Sequence, residues 1–275
     1  MTMQGHMAKA IRQLTSHLKA VDVVIEVVDA RAPLVTRNPR MDIHLSQKPS
    51  VLVLHKSDLG GEDSNRQWER YWRNRGRYAC LLSSKSGETP EGLMRLIRKT
   101  AENAGLRRSG SQLRCMVVGI PNVGKSTLIN RLTGRRSTRT GSRAGVTRGE
   151  QWVQTEELRL LDLPGILPPV IAGDEALALL TILDNIPAEK MPAEEAALYL
   201  IRIIRQRSPR TLEMVYSIDD ERGEPVQVLE RIGRSRGCLL SGGRIDWQRS
   251  GDVLLKDYRL GKLGRVTLEE PPFPE

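Results

Sequence analysis

Phenylalanine occurs once in this 275-residue chain, and aromatic residues make up only 4% of it. With so few rings, any nucleic-acid partner has to be held by its phosphates more than by stacking on successive bases. Trp68, Trp72, Trp152 and Trp247 are accordingly expected in or beside the core. Cysteine is also sparse: Cys80, Cys115 and Cys238 lie far apart with no C-x-x-C pair. Their spacing excludes a disulfide framework and implies reduced thiols in a cytosol-like compartment. Four scattered histidines make no metal cluster. Long apolar runs are missing too. "VDVVIEVVDA" (21–30) and "ALALLTIL" (176–183) fall short of the roughly 18–20 residues that cross a bilayer, so no membrane role is expected. No secretory or transit pattern marks the N-terminus.

Positive charge, by contrast, is plentiful. The net charge is +10, from 43 Lys/Arg against 33 Asp/Glu. Residues 189–275 hold 15 of each sign, so the whole excess, 28 against 18, lies in residues 1–188. It is densest in "RLTGRRSTRTGSRAGVTRGE" (131–150), where six arginines meet one acid. Arginines interspersed with Ser, Thr and Gly suit a phosphate backbone, which nominates Arg135, Arg136, Arg139 and Arg143 as RNA contacts.

Periodicity predicts a helix over 7–19, strands at "VVIEVVDA", "SVLVLH" (50–55) and "YACLLSS" (78–84), and helices over 64–75 and 91–104. A Gly/Ser/Arg connector (105–112) leads to the strand "LRCMVVG", a helix from Lys125 to about Thr133, and a hairpin formed by "EQWVQTE" and "LRLLDLPG". Strands and helices alternating at these lengths imply a mostly parallel sheet covered on both faces. After "DLPGILPP" no convincing strand remains. "AEEAALYLIRIIRQRSPR" (193–210), with acids first, arginines last and Pro209 beyond, is a well-terminated helix, and 246–260 is another. The expected division is an α/β domain over 1–173 and a helical domain over 174–275.

The chemistry is concentrated in four short stretches. "GIPNVGKS" (119–126) fits G-x-x-x-x-G-K-[ST] between a strand and a helix, a phosphate-binding loop. Its backbone N–H groups and the helix N-terminus would face phosphates; Lys125 would reach the β/γ-phosphates and Ser126 would ligate Mg²⁺. Val123 and Thr127 belong to the same loop. "DLPG" (162–165) offers Asp162 to Mg²⁺ through water and the Gly165 N–H to a γ-phosphate. Thr147, between these motifs, stands where a switch threonine would cap both. In "HKSD" (55–58), Asp58 can accept from guanine N1–H and the 2-amino group, a pair that adenine lacks, and the Lys56 stem can lie along the base. Ser57 completes that loop, and "SSK" (Ser83, Ser84, Lys85) can offer a backbone N–H to guanine O6.

The order is base loop, second base loop, phosphate loop, threonine, "DLPG". A GTPase domain cut and rejoined at surface loops, with its sheet kept, would have this order. The fold expected is a three-layer P-loop GTPase sandwich of circularly permuted strand order with an all-helical C-terminal domain.

Over nearly its whole length the sequence resembles the YlqF/RbgA family of circularly permuted ribosome-assembly GTPases. "GHMAKA" (5–10), "DARAP" (29–33), the nucleotide motifs, "RGCLLSGGRID" and "LLKDYRLGKLGRVTLE" carry the resemblance. It implies a GTP-hydrolysing cytoplasmic factor, monomeric by default, that acts late in maturation of the large ribosomal subunit and contacts ribosomal RNA through its helical domain. GTP or GDP and Mg²⁺ would be its ligands. His55 departs from the family's asparagine, which ties the base loop to the phosphate loop, so weaker affinity is expected. Leu163 and Ala144 also differ from the common pattern, and no Trp-Phe-Pro precedes "GHM". Ile166 stands where many GTPases place a water-orienting glutamine. The family suggests two replacements, His6 of "GHM" and a potassium ion held by Asn122. Asp29 of "DARAP" is expected to fix the loop after its strand. Two other functions stay open on residues alone: a small-molecule P-loop kinase or ATPase, and an RNA-binding scaffold that holds nucleotide without turnover.

Overall fold

The computed structural model describes residues 15–45, 47–83, 90–106, 112–134, 151–168 and 171–272. They form two compact units. The first takes in those within Met1–Asp58, Glu62–Val170 and Glu269–Glu275, and the second those within Leu59–Gly61 and Ile171–Leu268. Against the expected division at 173/174, Leu59–Gly61 and residues 171–173 group with the second unit, and residues from Glu269 on group with the first.

The first unit is built on a six-stranded sheet in the order β3-β2-β1-β4-β6-β5. Its strands are β1 (Val23–Asp29), β2 (Ser50–His55), β3 (Tyr78–Leu82), β4 (Leu113–Val118), β5 (Gln151–Gln154) and β6 (Leu158–Asp162). All neighbours run parallel except β5, which pairs antiparallel with β6 as the hairpin pattern predicts. Between the strands come α1 (Glu62–Asn74), α2 (Glu91–Asn103) and α3 (Lys125–Thr133). Every residue of β1 is buried. Near-continuous apolar runs are what a parallel strand covered on both faces requires.

Two clusters line one face of the sheet. Val24, Met116 and Leu161 pack with Leu18, Met41 and Leu45. Val28, Leu52 and Leu54 pack with Trp68 and Trp72 of α1. Between them on β1, the buried Glu26 accepts from Arg37 Nε (2.9 Å) and Arg77 (2.5 Å), so its charge is paired where water is excluded. Trp68 and Trp72 are core residues as expected, whereas Trp152 and Trp247 are exposed at 41% and 38%. Trp152 lies under the Arg159 guanidinium on the edge hairpin, so its polar surroundings leave it at the surface.

The second unit is helical: α4 (Gly173–Ile182), α5 (Ala193–Arg207), α6 (Thr211–Tyr216), α7 (Pro225–Ser235) and α8 (Trp247–Arg259). Among the described residues its only β pairing is an isolated bridge, Leu239 with Ile245. Helix α5 carries Glu194 and Glu195 in its first turn and Arg205 and Arg207 in its last, complementing the helix dipole. Helix α8 starts at Asp246, whose carboxylate accepts from Arg249 N (3.0 Å). It crosses α5 closely at Gly251, where a Cβ would sit 2.5 Å from the Ala193 carbonyl carbon. Apolar contact closes the rest, with Ile201, Ile204, Val228, Leu229, Leu254 and Tyr258 buried. Among the described residues no helix is long and apolar enough to cross a membrane.

Candidate nucleotide site

Parallel strands β2, β1 and β4 lie side by side, so the loops at their C-terminal ends share one edge of the sheet. Ligands of open α/β sheets bind at this edge. Here the loop after β2 is "HKSD" and the loop after β4 is "GIPNVGKS".

The phosphate loop is shaped by close backbone approach. Gly119 has φ 153°, and a Cβ there would lie 2.4 Å from the Val27 carbonyl oxygen. Asn122 holds φ 60°, a left-handed conformation that costs a non-glycine residue of order 1 kcal/mol or more. Gly124 has φ 104° and opens α3; its absent side chain leaves room for the His55 ring, whose Nδ1 would be 2.2 Å from a Cβ. Lys125 follows as the first residue of α3, buried, with Nζ donating to the Ile120 carbonyl (2.9 Å). Burial pushes the Lys125 pKa down to about 8, against the attraction of Asp162. Asp162, at the end of β6, is buried, and its Oδ1 has no hydrogen-bond partner. Burial raises its pKa, and Lys125 opposes the rise. A buried carboxylate oxygen without a donor, beside a hydroxyl-bearing phosphate loop, fits a hard cation.

The "DLPG" loop lies against the phosphate loop. A Cβ on Gly165 would come 2.5 Å from Pro121 N, and Ile166 N donates to Gly119 O (3.3 Å). The Ile166 side chain is buried in the cluster of Val24, Met116 and Leu161, so packing is its task.

The base side is tied to the phosphate side by two side chains. His55 Nδ1 is 3.0 Å from the Val123 carbonyl. A carbonyl only accepts, so Nδ1 carries the proton and the neutral ring presents a bare Nε2, which is buried without a partner. Burial, with Lys56 adding to it, lowers the His55 pKa to about 4, and the ring is neutral near pH 7. Lys56, at φ 60°, donates from Nζ to the Asn122 carbonyl (2.7 Å) and to Asp29 Oδ2 (2.9 Å). Asp29 also receives Arg31 Nε (2.9 Å) and Nη2 (2.8 Å). Burial would raise the Asp29 pKa, but Arg31 and Lys56 overcome it and hold the carboxyl well below its usual range. Asp29 therefore fixes its loop and also positions Lys56.

Further along the base loop, Asn65 of α1 donates to the Ser57 carbonyl (2.8 Å), and Arg131 of α3 donates to the Ser83 carbonyl. Asp58 sits in the short 3₁₀ turn Ser57–Leu59. The geometry thus brings together His55, Lys56, Ser57 and Asp58 with Asn122, Val123, Gly124, Lys125 and Ser126, with Gly165 and Asp162 on the phosphate side. Thr127 continues α3. His6, Ser84, Lys85, Arg135, Arg136, Arg139, Arg143 and Thr147 lie outside the described residues. Asn65 and Arg131 escaped the sequence reading because a polar residue on a helix carries no mark of the distant carbonyl it serves.

Comparison with known proteins agrees with this geometry. Residues 114–230 match the family described as 50S ribosome-binding GTPase. The chain is 37% identical to ribosome biogenesis GTPase A of Bacillus cereus over 97% of its own length and 92% of that protein's. It is 36% identical to the protein of the same name from Priestia megaterium, covering 98% of this chain and 96% of that one. A crystal structure of GNP-bound YlqF from T. maritima matches with a TM-score of 0.69 at 28% identity, over 96% of this chain and 98% of that one. With its motifs in permuted order around a common sheet edge, the chain belongs to the ribosome biogenesis GTPase A (YlqF/RbgA) family.

Proposed function

We propose that this protein binds and hydrolyses GTP as an assembly factor of the large ribosomal subunit in the cytoplasm, and that nucleotide state governs its hold on ribosomal RNA. One observation carries the reading of the site. Adjacent strand ends present a base loop and a phosphate loop that are hydrogen-bonded to each other through His55–Val123 and Lys56–Asn122. A guanine recognised by Asp58 would then sit in fixed relation to phosphates cradled at 119–126.

Each group has a definite task in that reading. Asp58 accepts from guanine N1–H and the 2-amino group; Ser83, Ser84 and Lys85 supply the N–H for O6. Lys125 and the loop amides neutralise the phosphates, and its buried ammonium is already desolvated for that role. Ser126, Asp162 and Thr147 would hold Mg²⁺, which when bound offsets charge on the β- and γ-phosphates. Since Ile166 is committed to the core, the attacking water is oriented by another group: His6, or a potassium ion at Asn122 acting as an added positive charge. His55 takes over the cross-tie expected of asparagine.

Thr147 and Gly165, drawn to the γ-phosphate, order the arginine-rich stretch containing Arg135, Arg136, Arg139 and Arg143 for contact with RNA phosphates. Hydrolysis frees these segments and the factor leaves. The charge excess of residues 1–188 supports this direction. The reciprocal effect is faster hydrolysis on the particle, because a ligand that favours one state is favoured by it.

The test is sedimentation of the monomeric protein with large-subunit precursors in GDP and in a non-hydrolysable GTP analogue. The reading requires co-sedimentation with the analogue, release with GDP, and a GTPase rate raised by the particles. Equal sedimentation in both nucleotides, or an unchanged rate, would overturn it. Competition of a labelled guanine nucleotide by GDP and not by ATP checks the base loop separately.

A further inference from the structure

The segment "VTLE" (266–269) belongs to a stretch that carries the family resemblance, yet it lies far in sequence from every nucleotide motif. Its glutamate makes four hydrogen bonds within the first unit. Glu269 Oε2 accepts from Leu34 N (2.7 Å) and Oε1 from Val35 N (3.0 Å). Its own N–H donates to the Arg31 carbonyl (3.3 Å), and its carbonyl accepts from Trp68 Nε1 (3.1 Å). A charged carboxylate that receives two consecutive backbone amides is a strong, directional clamp. Within the second unit, Thr267 Oγ1 accepts from Gly61 N (2.9 Å), three residues beyond Asp58 in the chain.

The clamped loop is the one that organises the base side of the site. Thr36 Oγ1, next to Val35, accepts from Asp29 N (3.1 Å) and donates to the Ala32 carbonyl (2.6 Å). Ala30 N donates to the His55 carbonyl (2.7 Å). Asp29 in turn holds Lys56 Nζ, whose other bond reaches Asn122 of the phosphate loop. On the opposite side the Asn38 amide donates to the Ile166 carbonyl (3.3 Å), beside "DLPG". A continuous set of hydrogen bonds therefore runs from Glu269 through residues 31–36 and Asp29 to Lys56.

We propose that Glu269 is a positioning residue for guanine recognition, fixing residues 31–36 so that Asp29 and Lys56 hold the base loop in its reading position. The proposal rests on the assignment of 55–58 as that loop. The path enters the site at Lys56, which joins the base loop to Asn122 of the phosphate loop, so an action on the base is read as loss of the preference between nucleotides and an action on the phosphates as equal weakening of both.

The full-length protein, as wild type, Glu269→Gln and Glu269→Ala, tests it by competition of fluorescent GDP with GDP and with inosine diphosphate, which lacks the 2-amino group. Nucleotide-free melting of each variant sets a working temperature well below unfolding. Wild type should prefer GDP over inosine diphosphate by roughly tenfold or more, the worth of one charge-assisted hydrogen bond. In Glu269→Gln, which keeps shape but turns an NH₂ toward one of the two amides, GDP should bind about tenfold more weakly, and the preference should shrink toward unity. Glu269→Ala should show the same, and if it does not fold, Glu269→Gln decides alone. A wild type without preference would overturn the base-loop assignment and this proposal together. A wild-type preference that persists in the variant would overturn the proposal alone, leaving Glu269 as an anchor of the chain end.

Discussion

The phosphate half and the base half of the candidate site are held by different means. The phosphate half is made by backbone: Gly119 and Gly124 adopt conformations and approaches that no side chain would permit, and α3 starts where they end. The base half is made by side chains brought from a distance. His55 reaches Val123, Asp29 and Asn122 hold Lys56, Asn65 holds Ser57, and Glu269 clamps the loop behind Asp29. A site held by its own backbone tolerates few changes at few positions. One held by remote side chains can be weakened from many places.

The sharpest way to break this comparison is Asp29→Asn. It leaves Arg31 and Lys56 facing a neutral amide in a buried site, at an expected cost of about 3–5 kcal/mol in denaturant unfolding. A cost below about 1 kcal/mol would mean that the base half does not depend on this pair.

Acid titration should give the next largest effect. Folded His55 titrates near 4 and an unperturbed histidine at 6.5, so between these values the unfolded chain binds a proton that the folded one refuses. Its contribution is complete above pH 6.5 and is lost as pH falls, by about 3 kcal/mol at pH 4. Asp29, with its depressed pKa, loses its contribution only at lower pH. Stability measured by urea unfolding from pH 7 to 4 should fall accordingly, and His55→Asn should flatten this slope.

Gly124→Ala tests the coupling of the two halves. Its Cβ would overlap the His55 ring, so GDP affinity should fall by about a hundredfold, near 2.7 kcal/mol. Adding His55→Ala should restore part of that loss, because the overlap is relieved while the strain at φ 104° and the missing tie to Val123 remain. Independent losses in the double variant would show that the two loops do not press on each other.

The smallest change is expected for His55→Asn on GDP affinity. An amide N–H can donate to the Val123 carbonyl as the imidazole does, so binding near pH 7.5 should stay within about threefold, less than 1 kcal/mol. A large gain would show that histidine is a poor substitute for the cross-tie.

Much of this was legible in the residues. Strands β1, β2 and β4 announce themselves as apolar runs, and β2 spans the predicted 50–55. The glycines at 119 and 124 and the "KS" pair are local in sequence because backbone conformation is local. The hairpin of β5 and β6 followed from two short runs and a turn. Two of the second unit's helices, α5 and α8, showed in their terminal charges and 3.6-residue spacing, whereas α4, α6 and α7 were not individually expected. Trp152 and Trp247, expected in the core or half-buried, keep 41% and 38% of their surface exposed because edges and helix starts leave rings partly uncovered.

Composition and local pattern by themselves determined a mostly parallel α/β domain with a G-x-x-x-x-G-K-S loop between strand and helix and a helical companion, since each depends on residues within a few positions of one another. Tertiary structure alone decided that His55 bonds to Val123, that Asp29 serves Lys56, and that Glu269 returns to residues 34 and 35. Those are pairings across 27 to 235 positions. Hydrogen-bond donors and acceptors are present in nearly every residue, so only the folded chain selects which of them meet.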